Sequence, residues 1–149
     1  MNGRKRHLLV DTQGLVLNAL VHPADIHDKQ GGHRLLAPLK DVFPRMAKVW
    51  ADSAYRGIVD WASETLGWDV EIVRHPRAGA WMPENVEPPP VPKGFIVLPR
   101  RWVVERTFAW LCRNRRLSKD YEHLTATGEV FICAAMTRLM LRRLSKSHA

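Results

Sequence analysis

The chain has 149 residues, enough for one domain with a core of its own. Its 23 Lys and Arg against 15 Asp and Glu give a formal net charge of +8, which points to a polyanionic partner. Nucleic acid comes before membrane here, because no apolar run approaches the roughly 18 residues of a spanning helix. The basic residues gather at 4–6, 100–116 and 138–146. Cys112 and Cys133 match no metal spacing and no disulfide framework, and no apolar segment resembles a signal peptide, so a reducing cytoplasm is expected.

In chain order, Met1 to Arg6 reads as a basic, frayed start. His7 to Val10 and Leu15 to Val21 read as two strands of a hairpin, joined through the turn formers Asp11-Thr12-Gln13-Gly14. In that turn Asp11 is expected to bond its own backbone, since this is far commoner than metal ligation for such an Asp. The polar loop His22 to Asp28 holds His22, His27 and Asp28. They have no helical i, i+4 pairing and no further clustered His or Cys, so the loop is read as the start of a helix capped near Asp28 rather than as a metal site. Leu35, Leu36, Leu39 and Val42 supply that helix with a buried stripe, which ends before Pro44.

Val49-Trp50-Ala51 reads as a short strand with Asp52 at its C-terminal end. A carboxylate there is well placed for chemistry at the rim of an α/β sheet, and equally well placed to cap the turn leading to Tyr55. Asp60 to Leu66 is a helix stopped by Gly67, and Trp68 to Val73 alternates as a strand does. From Arg74 to Lys93 regular structure lapses. Six prolines make an exposed, partly polyproline loop over about residues 76–93, read as a spacer or insertion. Gly94 to Leu98 resumes order. Pro99 to Arg116 reads as one helix, with Val104, Phe108 and Leu111, and beside them Val103, Thr107 and Trp110, on its apolar face. Glu105 falls on the opposite, basic face near Arg101, Cys112 and Arg116, where a solvated, neutralised carboxylate is the plain expectation. A final helix runs from Gly128 to Leu144, capped by Thr127, with Val130, Ala134, Leu141 and the Met and Leu residues between them on its packed side and Arg138, Arg142, Arg143 and Lys146 on its basic side.

Three ordered blocks carry a resemblance. They are Gly3-Arg4-Lys5-Arg6-His7-Leu8-Leu9-Val10-Asp11-Thr12-Gln13-Gly14, then Trp50-Ala51-Asp52-Ser53-Ala54-Tyr55-Arg56-Gly57, then Leu98-Pro99-Arg100-Arg101-Trp102-Val103-Val104-Glu105-Arg106-Thr107-Phe108-Ala109-Trp110-Leu111. Together they resemble bacterial insertion-sequence transposases of the IS-five group, from about residue 3 to about residue 144, with the Pro-rich loop as the weakest part. The resemblance implies an α/β, ribonuclease-H-like fold with an Asp-Asp-Glu site. Asp52 matches the second Asp, following the fourth strand, and Glu105 the Glu, on the helix after the fifth strand. Arg101 keeps the family's Arg-three-residues-Glu spacing. Leu98 stands where the family has Tyr, and Cys112 where a basic residue is expected, with Arg113 next to it.

The family's first catalytic Asp lies on a first strand upstream of the stretch matching Gly3 to Arg6, and Asp11 falls in a later turn. The resemblance therefore implies a single partial catalytic domain over residues 1–149 that lacks its first strand. It is expected to be one of two overlapping reading frames joined by frameshifting, or a remnant. Strand cleavage and transfer at phosphodiesters use two magnesium ions about 4 Å apart, held by hard oxygen ligands. By the resemblance, Asp52 and Glu105 each hold one flank, the first-strand Asp bridges, and Arg101, Arg113 and Arg116 neutralise DNA phosphates. The expected function is that of a transposase fragment, inactive alone for want of the bridging Asp. The alternatives are a basic DNA-binding or regulatory remnant without enzymatic activity, and a ribonuclease-H-type nuclease. Expected partners are terminal inverted repeats and target DNA, the upstream reading-frame product, and another copy of the chain through the bare edge of His7 to Val10.

Overall fold

The computed structural model describes residues 3–73 and 100–147. Strands β1 (Arg4–Val10) and β2 (Val16–Pro23) form the expected hairpin, antiparallel from Arg4 opposite Pro23 to Val10 opposite Val16. Its turn is built as the sequence suggests. Asp11 Oδ1 accepts from the backbone N–H of Gln13 and of Leu15, each at 2.8 Å, and Gly14 takes a left-handed φ of 83°. The basic start is not frayed. Arg4 lies within β1 and donates to the carbonyls of Glu122 (2.6 Å) and His123 (2.7 Å), while Arg6 reaches those of Leu117 (2.8 Å) and Lys119 (3.0 Å). Two guanidinium groups that read as spare positive charge thus satisfy a carbonyl-rich loop more than a hundred residues away.

Helix α1 (Asp28–Leu36) buries Leu35 and Leu36, and a following 3-10 turn buries Leu39. Val42 does not join them; it is 61% exposed. Asp28 sits in the first turn without capping it, because its carboxylate pairs with Lys5 across 3.0 Å instead. Strand β3 (Lys48–Ala51) leads through Asp52 into a helical run. This comprises a 3-10 section at Ser53–Ile58, one α turn, α2 (Val59–Trp61), and a wide π section at Ala62–Leu66. Gly67, at φ 73°, ends the run, and β4 (Asp69–Ile72) then lies parallel to β3, Lys48 opposite Asp69 and Ala51 opposite Ile72. A parallel pair needs such a helical crossover, since no tight turn can join its ends. The Pro-rich loop and the expected strand at Gly94 to Leu98 lie outside the described residues.

Helix α3 (Arg101–Cys112) is shorter than expected and ends before Arg113. It buries Val103, Thr107 and Leu111, the i, i+4, i+8 line one position behind the predicted Val104 and Phe108, which are half-buried. Arg116 therefore sits in a separate 3-10 turn, Arg115–Leu117, and off the helix that carries Glu105. Helix α4 (Thr125–Ser147) starts earlier than expected and buries Gly128, Ile132 and Met136, with Leu139 and Met140 packed against the same core, so the expected Met and Leu residues do face inward. Val130 and Leu141, expected in the packed side, are 64% and 61% exposed, and Ala134 is exposed as well. Apolar residues occur on several faces of α4, so periodicity alone does not choose among them.

Two cores result. One gathers Leu9, Leu35, Leu36, Ile58, Ala62, Trp68 and Val70, and so binds the hairpin, α1 and the β3–β4 unit. The other joins Val21 of β2 to Leu111, Leu117, Ile132 and Met136. The architecture is mixed α/β with two separate two-stranded sheets, and among the described residues no ladder joins β1 to β3.

Candidate active site

A cavity of about 690 Å³ opens between the two sheets. All four residues of β3 line it, as do Arg6, Leu8, Leu9 and Val10 of β1. No β4 residue does, and Leu17 is the one β2 residue that does. The cavity therefore runs along the edges of β1 and β3 that carry no partner strand among the described residues. Asp52 and Glu105 both line it. Asp11 lines it too, with Oδ1 bonded to the hairpin turn, so three carboxylate residues from separate blocks of sequence border one space, Glu105 exposed and Asp11 and Asp52 half-exposed.

Asp52 and Glu105 are each carried by an element fixed in its own way. Asp52 follows β3 in extended conformation, and its Oδ1 accepts from the N–H of Ala54 at 2.8 Å, so it does cap the turn that follows. The cap reading and the site reading are compatible, since the cap fixes the carboxylate at the strand end. Glu105 rides on α3, which is docked onto the hairpin turn by the two residues after it. Arg106 Nη2 donates to the Gln13 carbonyl at 2.8 Å, and the buried Thr107 hydroxyl donates to the Gly14 carbonyl at 2.7 Å. A Cβ on Gly14 would meet Thr107 Oγ1 at 2.8 Å, so this contact requires glycine as much as the turn does. The polar Thr107 in an apolar stripe was the available signal for this docking, and sequence reading placed it with the core.

Of the arginines assigned to phosphates, Arg113 is exposed just past the end of α3. Arg116 is held by Glu122 at 2.7 and 3.4 Å and lies 4.6 Å from the Phe131 ring; the carboxylate also raises its pKa. Arg101 opens α3. Sequence reading missed a run of stacked rings and guanidinium groups: Arg106 lies 4.2 Å from Trp102 and 4.8 Å from Trp110, and Arg143 of α4 4.6 Å from Trp110. Their spacings along α3 (102, 106, 110) are four residues, a signal that was visible.

Residues 1–140 match the family described as Transposase DDE domain. The chain belongs to this family. A candidate transposase for insertion sequence element IS402 from Burkholderia cepacia is 31% identical to it over 152 residues, a match that covers 97% of this chain and 67% of the relative. No solved structure matches. Membership in a DDE transposase family implies use of a divalent metal in general, and directs attention to the carboxylates of Asp52 and Glu105. Their hard oxygen donors suit magnesium, which keeps several waters and needs few protein ligands. Among the described residues, however, no group of three or more His, Cys, Asp or Glu could hold a metal ion. The donor set fits part of such a site. Also among the described residues, no helix of this transposase domain is long and apolar enough to cross a membrane.

Proposed function

We propose that this chain is the catalytic part of an insertion-sequence transposase of the IS-five group, with a ribonuclease-H-like fold, and that Asp52 and Glu105 are two of its three catalytic carboxylates. The observation that carries the reading is that both line one cavity, bounded by two strand edges without partners among the described residues. On this reading a strand bearing the third carboxylate would lie between β1 and β3. It would convert two small sheets into one and bring its side chain to the end of β3 where Asp52 stands. Asp52 and Glu105 would each hold the flank of a magnesium site. The bound metal would supply activation of the attacking oxygen and stabilisation of the leaving one. Arg101 and Arg113 would hold phosphates alongside, with Arg116 contributing less while its charge is shared with Glu122. The substrates on this reading are the element's terminal inverted repeats and target DNA.

Among the described residues Asp52 and Glu105 join no group of three ligands that could hold a metal ion, and Asp11, which also lines the cavity, commits its carboxylate to the hairpin turn. This favours a second reading, a DNA-binding or regulatory chain without chemistry of its own. Cleavage and joining of a DNA end carrying the terminal repeat separates them. The 149-residue chain should be inactive alone and active when joined to an upstream strand containing the Asp. The same strand with Ala in that place should restore solubility only. Joining by the 149-residue chain that survives Asp52→Ala would sink the assignment, and inactivity with the Asp-bearing strand in place would favour the regulatory reading.

A further inference from the structure

Behind Asp52 lies a buried polar chain that this reading does not use. His7 of β1 and His22 of β2 are each 3% exposed. Their Nε2 atoms are 2.6 Å apart, below the about 3.5 Å of non-bonded heavy atoms, so a proton lies between them. The rings are inclined by only 24°, which suits an edge-to-edge N–H···N contact. His22 Nδ1 is 2.7 Å from the Pro23 carbonyl oxygen, and His7 Nδ1 is hydrogen-bonded to the Tyr55 hydroxyl.

The carbonyl settles the direction of its own bond, and uncharged rings settle the rest. A carbonyl oxygen can only accept, so His22 carries its proton on Nδ1. A neutral His22 then offers a lone pair at Nε2, and His7 must donate from its own Nε2. This leaves His7 Nδ1 as an acceptor, and Tyr55 donates to it. The chain runs from Tyr55 through His7 and His22 to Pro23, uncharged throughout. Burial and the neighbouring His22 hold the His7 pKa below its ordinary value, in keeping with a neutral His7 ring.

Two glycines make room for it. Gly31 and Gly32 lie inside α1, where each costs about 1 kcal/mol relative to Ala. A Cβ on Gly31 would meet the two Nε2 atoms at 2.6 and 2.7 Å, and one on Gly32 would meet Tyr55 Cδ1 at 3.0 Å. Helix α1 gives up propensity to admit these rings. Tyr55 in turn belongs to the 3-10 turn that Asp52 caps, its N–H donating to the Asp52 carbonyl at 3.2 Å, and the Asp52 charge helps raise the Tyr55 pKa, after burial.

We propose that Tyr55, His7 and His22 are positioning residues: a one-directional hydrogen-bond relay that ties the Asp52 turn to the β1–β2 hairpin and holds its carboxylate for metal. The role rests on Asp52 being a metal ligand, while the relay's proton positions do not.

Nitrogen-15 spectra of the histidine rings in the 149-residue chain test the relay. His7 should carry its proton on Nε2 and His22 on Nδ1 at neutral pH. The opposite tautomer in either ring, or a doubly protonated His22, overturns it. Paramagnetic broadening of the Ala51 to Ala54 amides by Mn²⁺ tests the role. Asp52→Asn should abolish the broadening, and its persistence would refute the ligand assignment while leaving the tautomer result standing. Tyr55→Phe should weaken Mn²⁺ binding roughly 10-fold, as loss of a partner behind a metal ligand does. His7→Leu should do the same, while His7→Gln, which keeps an acceptor and a terminal N–H donor, should restore binding to within about twofold of wild type. DNA affinity and the chain's circular dichroism should stay unchanged in Tyr55→Phe. If Asp52→Asn abolishes broadening but Tyr55→Phe binds Mn²⁺ as tightly as wild type, the positioning role is wrong.

Discussion

The two small sheets of this transposase domain are made in opposite ways. The turn that closes the β1–β2 hairpin is shaped by local bonds: Asp11 Oδ1 to Gln13 and Leu15, and the Asp11 carbonyl accepting from Gly14 N–H at 3.0 Å. Helix α3 only docks onto that turn, through the Gln13 and Gly14 carbonyls. The β3–β4 pair is only four residues long and parallel, so it depends on the packing of the helical run between its strands, chiefly Ile58, Ala62 and Leu66. Neither sheet borrows a hydrogen-bond ladder from the other among the described residues. What couples them is one apolar core with leucines of α1 at its centre, the cavity that both edges share, and the chain from His22 to Tyr55. A pair that closes locally can form first and serve as a platform, and the pair that needs a crossover then depends on the core.

That contrast can be broken at the core. Leu36 is 3% exposed and belongs to the cluster that spans both sheets. Leu36→Ala should cost about 2–5 kcal/mol and accelerate amide exchange in both sheets, as denaturant titration and hydrogen exchange would show. Exchange raised in β3–β4 alone would mean that the hairpin stands without this core.

A smaller loss should stay local. Asp11→Ala removes the acceptor of two backbone N–H groups and should cost about 1–3 kcal/mol, with faster exchange confined to β1, β2 and the docked start of α3. Equal acceleration in β4 would contradict the local account of the hairpin.

The tie between the sheets should be sensitive to acid. His7 has its pKa lowered from 6.5, by burial first and His22 next; Lys5 adds to this, while Asp28 and Asp52 oppose it. The unfolded chain then binds a proton more readily than the folded one. Stability is fully present above pH 6.5 and falls as pH drops from there toward the lower folded value. His7→Gln should flatten the pH dependence of the melting temperature across that window, and an unchanged slope would assign it to another group.

The smallest effect is expected on the surface of β3–β4. Lys48 bridges Asp69 at 3.0 Å and Glu71 at 2.8 Å, and both carboxylates raise its pKa, yet its side chain is 40% exposed. Lys48→Ala should leave the melting temperature unresolved from wild type, because exposed ion pairs are screened. A clear loss would show that the short parallel pair leans on its charges as well as on its core.

The features legible in the sequence are those made by neighbouring residues. The Asp11 turn, Gly67 as a helix stop and Asp52 at a strand end each follow from the backbone needs of a few adjacent positions. The order of the three motif blocks was likewise enough to name the family. Contacts between distant segments decided the rest. Helices α3 and α4 carry broad apolar sets, from which packing chose Val103, Thr107 and Leu111 over Val104 and Phe108, and Ile132 and Met136 over Val130 and Leu141. Arg4 and Arg6 read as loose charge because the carbonyls that bind them lie at 117–123. His7, His22 and Tyr55 belong to three elements, and nothing in their spacing brings their rings together. Asp52 and Glu105 share a cavity because α3 is hooked to the turn at Gly14 while β3 is seated on the core of α1. A carboxylate's chemistry is written in the residue, but its neighbour is chosen by the packing of elements that meet only once the chain has folded.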